Sequence, residues 1–225
     1  MPDKCILYYT CNSHRQDIEL ACRKQLLAAK GKCDLVSVSR EPIEFGMWNV
    51  VVDRPRSPGT MHMQILEGLE RIAARYVFLC ESDVLYHPSH FQFEPWEEDV
   101  FYYNTNVWRI RYDDGRAVWT DNLQQVSGLC ASRELLLGFY RLRVDQIVKE
   151  GFNRHYEPGQ KTGNWKTDNW QSTCPNLDIR HSGTLTRSKW SPDEFRNQKY
   201  AKGWREVDSV PCWGSLKEVL NIWRD

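Results

Sequence analysis

Short apolar runs separated by helix-patterned stretches organise the first half of the chain and leave it few ways to fold. Cys5-Ile6-Leu7-Tyr8-Tyr9 reads as a buried strand, because an uninterrupted apolar run of this length suits a parallel strand covered on both faces. Residues 17–30 follow with Ile18, Cys22, Leu26 and Ala29 at three- and four-residue steps, and Gly31 ends that helix. Residues 34–38 and 49–53 read as two more strands, and a loop with two prolines over 54–59 leads into a helix over about 60–74. The clearest strand is Tyr76-Val77-Phe78-Leu79-Cys80, which runs straight into Glu81-Ser82-Asp83. Such alternation predicts an α/β layer with a mainly parallel sheet. Ligands of these sheets bind beyond the carboxyl ends of the strands, where Thr10-Cys11-Asn12 and Glu81-Ser82-Asp83 would emerge.

The pattern changes after Pro88. Residues 100–103, 107–112 and 117–119 read as strands, with Asp113-Asp114-Gly115 as a hairpin turn between the last two. A helix over 133–150 follows. From Gly151 onward the chain is polar with little periodicity, apart from a short closing helix near 216–223, so a loop-rich wrap is expected there. No repeat or linker interrupts the 225 residues. The expectation is one domain over 1–225, with a nucleotide-binding half over about 1–90 and an acceptor half over about 91–225.

Composition narrows the function classes. Lys plus Arg and Asp plus Glu both number 30, a balance that weighs against a protein gripping nucleic-acid backbone over most of its surface. No apolar run approaches the ~20 residues needed to cross a membrane. The start of the chain lacks the basic and long apolar stretches of a signal peptide, which makes a cytoplasmic location the expectation. Eight cysteines occur without CxxC spacing, and Cys5, Cys80 and Cys130 lie inside apolar segments. They read as reduced thiols with no zinc cluster.

Two carboxylates one residue apart at the end of a buried strand suit a hard divalent cation, since i and i+2 side chains converge in a turn. The competing reading is that acidic residues often begin turns. Arg56-Ser57-Pro58-Gly59-Thr60 opens the preceding helix, whose free N–H groups would face a phosphate.

Strand–helix–strand, then loop and helix, then an apolar strand ending in an acidic-x-Asp triplet resembles a GT-A glycosyltransferase. Three segments, ESDVLYHPSHF (81–91), FYYNTNVWRIR (101–111) and PNLDIRH (175–181), resemble a family of small glycosyltransferase-like proteins of bacteria and phages. One departure is Glu81, where many GT-A enzymes carry Asp. The resemblance implies a GT-A-like, Rossmann-type mixed sheet flanked by helices. It implies Mn²⁺ or Mg²⁺ as metal and a nucleotide-sugar donor, a UDP-sugar first. Asp83 would ligate the metal directly, Glu81 would contact water, metal or ribose, and Ser82 would help grip the diphosphate. His181 would be the distant ligand, ahead of His87 and His90. Tyr8, Tyr9, Thr10 and Asn12 would contact base and ribose, with only one tyrosine facing the nucleotide. Asp53 and Arg56 would line the opposite wall.

An inverting transfer needs a base for the acceptor hydroxyl, and Asp168 and Glu157 are the candidates. Lys202 and other cations of the tail would close over the diphosphate or meet an anionic acceptor, or simply form a solvated surface. The acceptor is expected to be a glycan or small hydroxyl compound, with hydroxymethylated pyrimidines of phage DNA as the second possibility. A noncatalytic nucleotide- or sugar-binding module shares the fold. A nucleotidyltransferase would call for a loop richer in glycine than 54–60.

Overall fold

The computed structural model describes residues 3–120, 123–153, 165–181 and 205–224. Its elements in order are β1 (Lys4–Tyr9), α1 (Gln16–Ala29), β2 (Asp34–Ser39), β3 (Asn49–Val51), α2 (Pro58–Arg71), β4 (Tyr76–Glu81), β5 (Val84–Leu85) and α3 (Pro88–Phe91). Then come β6 (Val100–Asn104), β7 (Val107–Arg111), β8 (Ala117–Thr120), a 3₁₀ turn (Val126–Gly128), β9 (Leu129–Ser132) and α4 (Arg133–Glu150). The remainder holds β10 (Lys166–Trp170), β11 (Asn176–Arg180), β12 (Arg205–Val207), β13 (Ser209–Val210), β14 (Gly214–Ser215) and a closing helix, α5 (Leu216–Arg224).

The result is a mixed α/β fold whose main sheet has, among the described residues, seven strands in the order β10-β6-β9-β4-β1-β2-β3. β1 pairs in parallel with β2 on one side and β4 on the other, while β9 runs antiparallel between β4 and β6. Alternation along β1 sorts its side chains between two covered faces. Leu7 and Tyr9 join Ile65 and Leu69 of α2 and Leu136 and Tyr140 of α4. Ile6 and Tyr8 join Leu26 and Ala29 of α1. Both faces are dry, which explains the unbroken apolar run. Gly68 sets how closely α2 approaches the sheet: a Cβ there would lie 2.3 Å from Leu7 Cδ1 and 2.7 Å from Val38 Cγ2.

A second sheet, β12-β8-β7-β11-β5, packs on the other flank of α1. Ile18, Ala21 and Cys22 of α1 meet Trp108, Ile110, Leu177 and Ile179 there, together with Val219 and Trp223 of α5. α1 is therefore held between the two sheets. The chain after Gly151 thus contains β10 to β14 where little regular structure is expected from its sequence. The expectation of eight reduced thiols is also corrected, because Cys174 and Cys212 form a disulfide. Closing a loop of 38 residues restricts the unfolded chain by roughly 4 kcal/mol in the chain-entropy account. Among the described residues no helix is long and apolar enough to cross a membrane.

Candidate functional site

β1 and β4 are parallel neighbours; the chain leaves β1 through α1 toward β2 on one side and leaves β4 for the second sheet, and ligands of such sheets bind beyond carboxyl ends placed this way. The loop leaving β1 is clamped from both sides. Thr10 Oγ1 donates to Glu19 of α1 at 2.8 Å, and Gln64 Nε2 of α2 donates to the Thr10 carbonyl at 2.9 Å. Asn12 takes a left-handed backbone (φ 54), which asparagine tolerates well. In that pose its Oδ1 accepts from the backbone N–H groups of Arg40 and Glu41, at 2.8 and 3.0 Å. Arg40 Nε in turn donates to the Arg54 carbonyl, tying this loop to the one before α2.

β4 runs into the turn at Ser82-Asp83 and then crosses to the second sheet as β5. β11 pairs antiparallel with β5, and Ile179 N–H donates to the Asp83 carbonyl at 2.9 Å. That pairing delivers the residue after β11, His181, to within 3.6 Å of Asp83 (Nε2 to Oδ2). His14, from the loop between β1 and α1, completes the group. Its ring meets His181 edge-on at 4.8 Å, and its Nδ1 lies 3.0 Å from Ser82 Oγ. One ligand atom from each of His14, Asp83 and His181 falls within 4.8 Å of the others. Burial pushes the Asp83 carboxyl up, but its bond to His181 and the charges of His14, His181 and Arg180 outweigh that and hold it below the usual range. Burial opposes a charge on His14, yet its bond to Cys11 and the charge of Asp83 raise it to about 9. Cys11 moves the other way: its bond to His14 outweighs burial and lowers the thiol to about 7.

Glu81 is held apart from that trio. It accepts from Tyr9 Oη at 2.9 Å, and burial followed by the Asp83 charge raises it to about 8. Next to it lies a buried ion cluster on β7 and β11. Asp178 is 3.4 Å from Arg109 Nε and 3.2 Å from Arg180 of its own strand. Burial pulls Arg109 down to about 10, with the Asp178 charge opposing. Asp178 outweighs burial at Arg180 and raises it.

The structure therefore brings together Asp83, His181 and Ser82 of the expected residues, and adds His14, which sequence reasoning missed. Tyr8 and Tyr9 point to opposite faces, as period-2 alternation requires, but helices cover both faces. Tyr8 is a core residue, with Arg23 donating to its Oη at 3.2 Å. Tyr9 is buried too and spends its hydroxyl on Glu81. The Thr10 hydroxyl and the Asn12 Oδ1 both brace loops. Asp53 is exposed and Arg56 half-buried, both beside the start of α2, whose N-cap Ser57 accepts from Thr60 N–H.

Asp168 is not at the site. It is exposed on the edge strand β10, three strands from β4, which is ~14 Å across the sheet at ~4.8 Å per strand. Register through Tyr102 and Cys130 also sets it level with Phe78, short of the strand end. Glu157 and Lys202 lie outside the described residues. His90 is fully buried, its Nδ1 facing the amide nitrogens of Asn104 and Asn176, and burial pulls it down to about 3. It serves packing. His87 lies beside Cys174 and Cys212 rather than at Asp83.

No protein-family model and no curated protein matches the chain. Among solved structures, the bifunctional IspDF from Campylobacter jejuni aligns with 76% of this chain at TM-score 0.44 and 8% identity. The chain spans about half of that protein, 50% of its length. A glycosyltransferase involved in the glycosylation of the major capsid of PBCV-1 aligns over 76% of this chain and 82% of its own (TM-score 0.40, 8% identity). The inositol-1-phosphate CTP transferase from T. maritima aligns over 79% and 89% (TM-score 0.43, 13% identity). What the site can do follows from its own side chains.

Proposed function

We propose that the chain is a metal-dependent glycosyltransferase that takes a nucleotide-sugar donor, a UDP-sugar first, and moves the sugar to a saccharide or other small hydroxyl acceptor. The observation that carries this reading is the convergence of His14, Asp83 and His181 at the carboxyl ends of two adjacent parallel strands. One carboxylate and two imidazoles fit Mn²⁺ better than Mg²⁺, which prefers an all-oxygen shell with several waters. When bound, a divalent cation would stabilise the charge growing on the departing diphosphate.

The chain's own residues do the rest. Asp83, His181 and His14 would hold the ion, and Ser82 keeps the His14 ring oriented. The positive charge of Arg180 acts on Asp83 and supplies a favourable potential for an anionic donor. Glu81, braced by Tyr9, would face a water or the ribose. With Asp168 on the far edge strand, Glu157 is the remaining sequence candidate for the acceptor's base.

A carboxylate with two histidines is also a donor set for non-haem iron, and this is the competing reading of the site. The discriminating experiment is a donor panel with Mn²⁺, Mg²⁺ and Fe²⁺, run with and without a saccharide mixture or hydroxymethylated DNA. Slow Mn²⁺-dependent release of nucleoside diphosphate from a nucleotide-sugar is expected, with loss in Asp83→Ala. Pyrophosphate release from a nucleoside triphosphate would instead make the chain a nucleotidyltransferase. Donor binding without turnover, in all acceptor arms, would make it a binding module. Donor titration unchanged in Asp83→Ala would remove the metal assignment.

A further inference from the structure

The disulfide has a third residue beside it. His87, at the N-cap of α3, offers a ring nitrogen within 4.8 Å of the sulfur atoms of both Cys174 and Cys212. The three are far apart in sequence, so no spacing motif announces them. His87 is firmly oriented. Its Nδ1 lies 2.9 Å from Ser89 Oγ, its backbone N–H donates to Asn176 Oδ1 at 3.1 Å, and Trp213 packs edge-on against its ring. The Cys174 end is fixed as well, since Ser89 Oγ accepts from Cys174 N–H at 3.1 Å and donates to its carbonyl at 3.3 Å. Trp213, the neighbour of Cys212, donates from Nε1 to the Pro175 carbonyl at 2.8 Å. Cys174 is buried and Cys212 exposed, which leaves one side of the group open to water.

We infer that Cys174, Cys212 and His87 form a second metal site, selective for Zn²⁺, that exists only when the disulfide is reduced. Two thiolates and one imidazole are soft-to-borderline donors that suit tetrahedral Zn²⁺, with a water in the fourth position. The same donors are a poor match for Mn²⁺ or Mg²⁺. The two states exclude each other. A dithiol reductant transfers two electrons and two protons to the S–S bond and is itself oxidised to a disulfide. Zn²⁺ then displaces the two thiol protons to solvent as it binds. Oxidation to the disulfide requires release of the ion. Held either way, the segment before β11 stays joined to the β13–β14 hairpin, so the clamp survives a change of redox state with a different bond in it.

The test uses the full chain with Co²⁺ as the spectroscopic stand-in for Zn²⁺. Reduced protein should show a saturable thiolate-to-cobalt charge-transfer band that Zn²⁺ abolishes by displacing the ion. Oxidised protein should show no charge-transfer band, because the ligands at Asp83 contain no sulfur. His87→Ala should keep the fold by circular dichroism and weaken Co²⁺ binding at least about tenfold. Cys11→Ser should leave the band unchanged, as control for the other accessible thiol. Independently, Zn²⁺ should protect Cys174 and Cys212, and not Cys11, from iodoacetamide in the reduced protein, read by peptide mass spectrometry. Reduced protein without a charge-transfer band overturns the inference, as does alkylation of Cys174 and Cys212 at undiminished rate under saturating Zn²⁺. Neither result bears on metal binding at Asp83, whose ligands contain no sulfur.

Discussion

Raising the pH from 6.5 to 8.5 should tighten Mn²⁺ binding at the Asp83 site about 80-fold while removing part of what His14 contributes to the metal-free fold. His14 sets this dependence, since its bond to Cys11 and the charge of Asp83 raise it to about 9. At pH 7 it carries ~0.99 proton, and a metal-bound imidazole carries none on the ligating nitrogen, so binding must expel that proton. Asp83 is already ionised and adds nothing. One proton released per ion means about tenfold in apparent affinity per pH unit below 9. Glu81, raised to about 8 by burial and by Asp83, steepens the dependence below pH 8 wherever the incoming cation ionises it.

The contribution of His14 to the stability of the metal-free protein runs the other way, and Cys11, lowered to about 7 by the same bond, offsets it between pH 7 and 9. A histidine raised from 6.5 to about 9 contributes stability that is complete below 6.5 and is lost as pH rises through 9. The ceiling is roughly 3 kcal/mol before solvent screening, because His14 is only partly buried. The thermal shift conferred by Mn²⁺ should therefore grow with pH. Titration calorimetry in phosphate and in Tris, which differ in ionisation enthalpy, counts the protons directly. Equal binding enthalpies in the two buffers, with an affinity flat across the window, would refute the assignment of His14 as a ligand.

Three further outcomes follow from the fold. Asp178→Ala leaves Arg109 and Arg180 without their shared carboxylate in a buried setting and should cost about 3–5 kcal/mol, read from urea midpoints. Gly68→Ala forces a methyl against Leu7 and Val38 and should destabilise by about 1–3 kcal/mol, lowering the midpoint at constant slope. His90 titrates at about 3 folded against 6.5 unfolded, so stability should fall by up to about 1.4 kcal/mol per unit as pH drops below 6.5. Glu81 has the opposite sign in the same window, so the quantity to compare is the slope in His90→Gln minus that in the parent; equal slopes would mean that His90 is not buried neutral.

What could be read from sequence tracked how strongly burial writes itself into residue type. β1 and β4 are covered on both faces and therefore apolar over residues 5–9 and 76–80, so their ends, and with them Asp83, are legible. β10 is an edge strand with the sequence Lys-Thr-Asp-Asn-Trp, mostly exposed, and carries no periodic apolar signal. β11 alternates Leu177, Asp178 and Ile179, but the strand is too short for that pattern to stand out in a polar stretch. His14 was hidden for a different reason. It sits in the loop already marked by Thr10-Cys11-Asn12, yet only the pairing of β11 with β5 reveals that positions 14, 83 and 181 meet. The tyrosines show the reverse error, because an aromatic residue at a strand end near a ligand site looks available until both faces prove to be covered.

The polar character that concealed β10 has a consequence for how the molecule meets its own kind. A sheet edge presents unpaired backbone groups, and an apolar, flat edge invites another chain to extend it. Here the seven-stranded sheet ends on one side in β3, three residues long, and on the other in a strand whose exposed Lys166 and Asp168 would have to be stripped of water for a neighbour to dock. Lys166 is further engaged by Asp99, which shields the rim with a charge pair. Among the described residues, both margins of this sheet thus resist its growth from molecule to molecule.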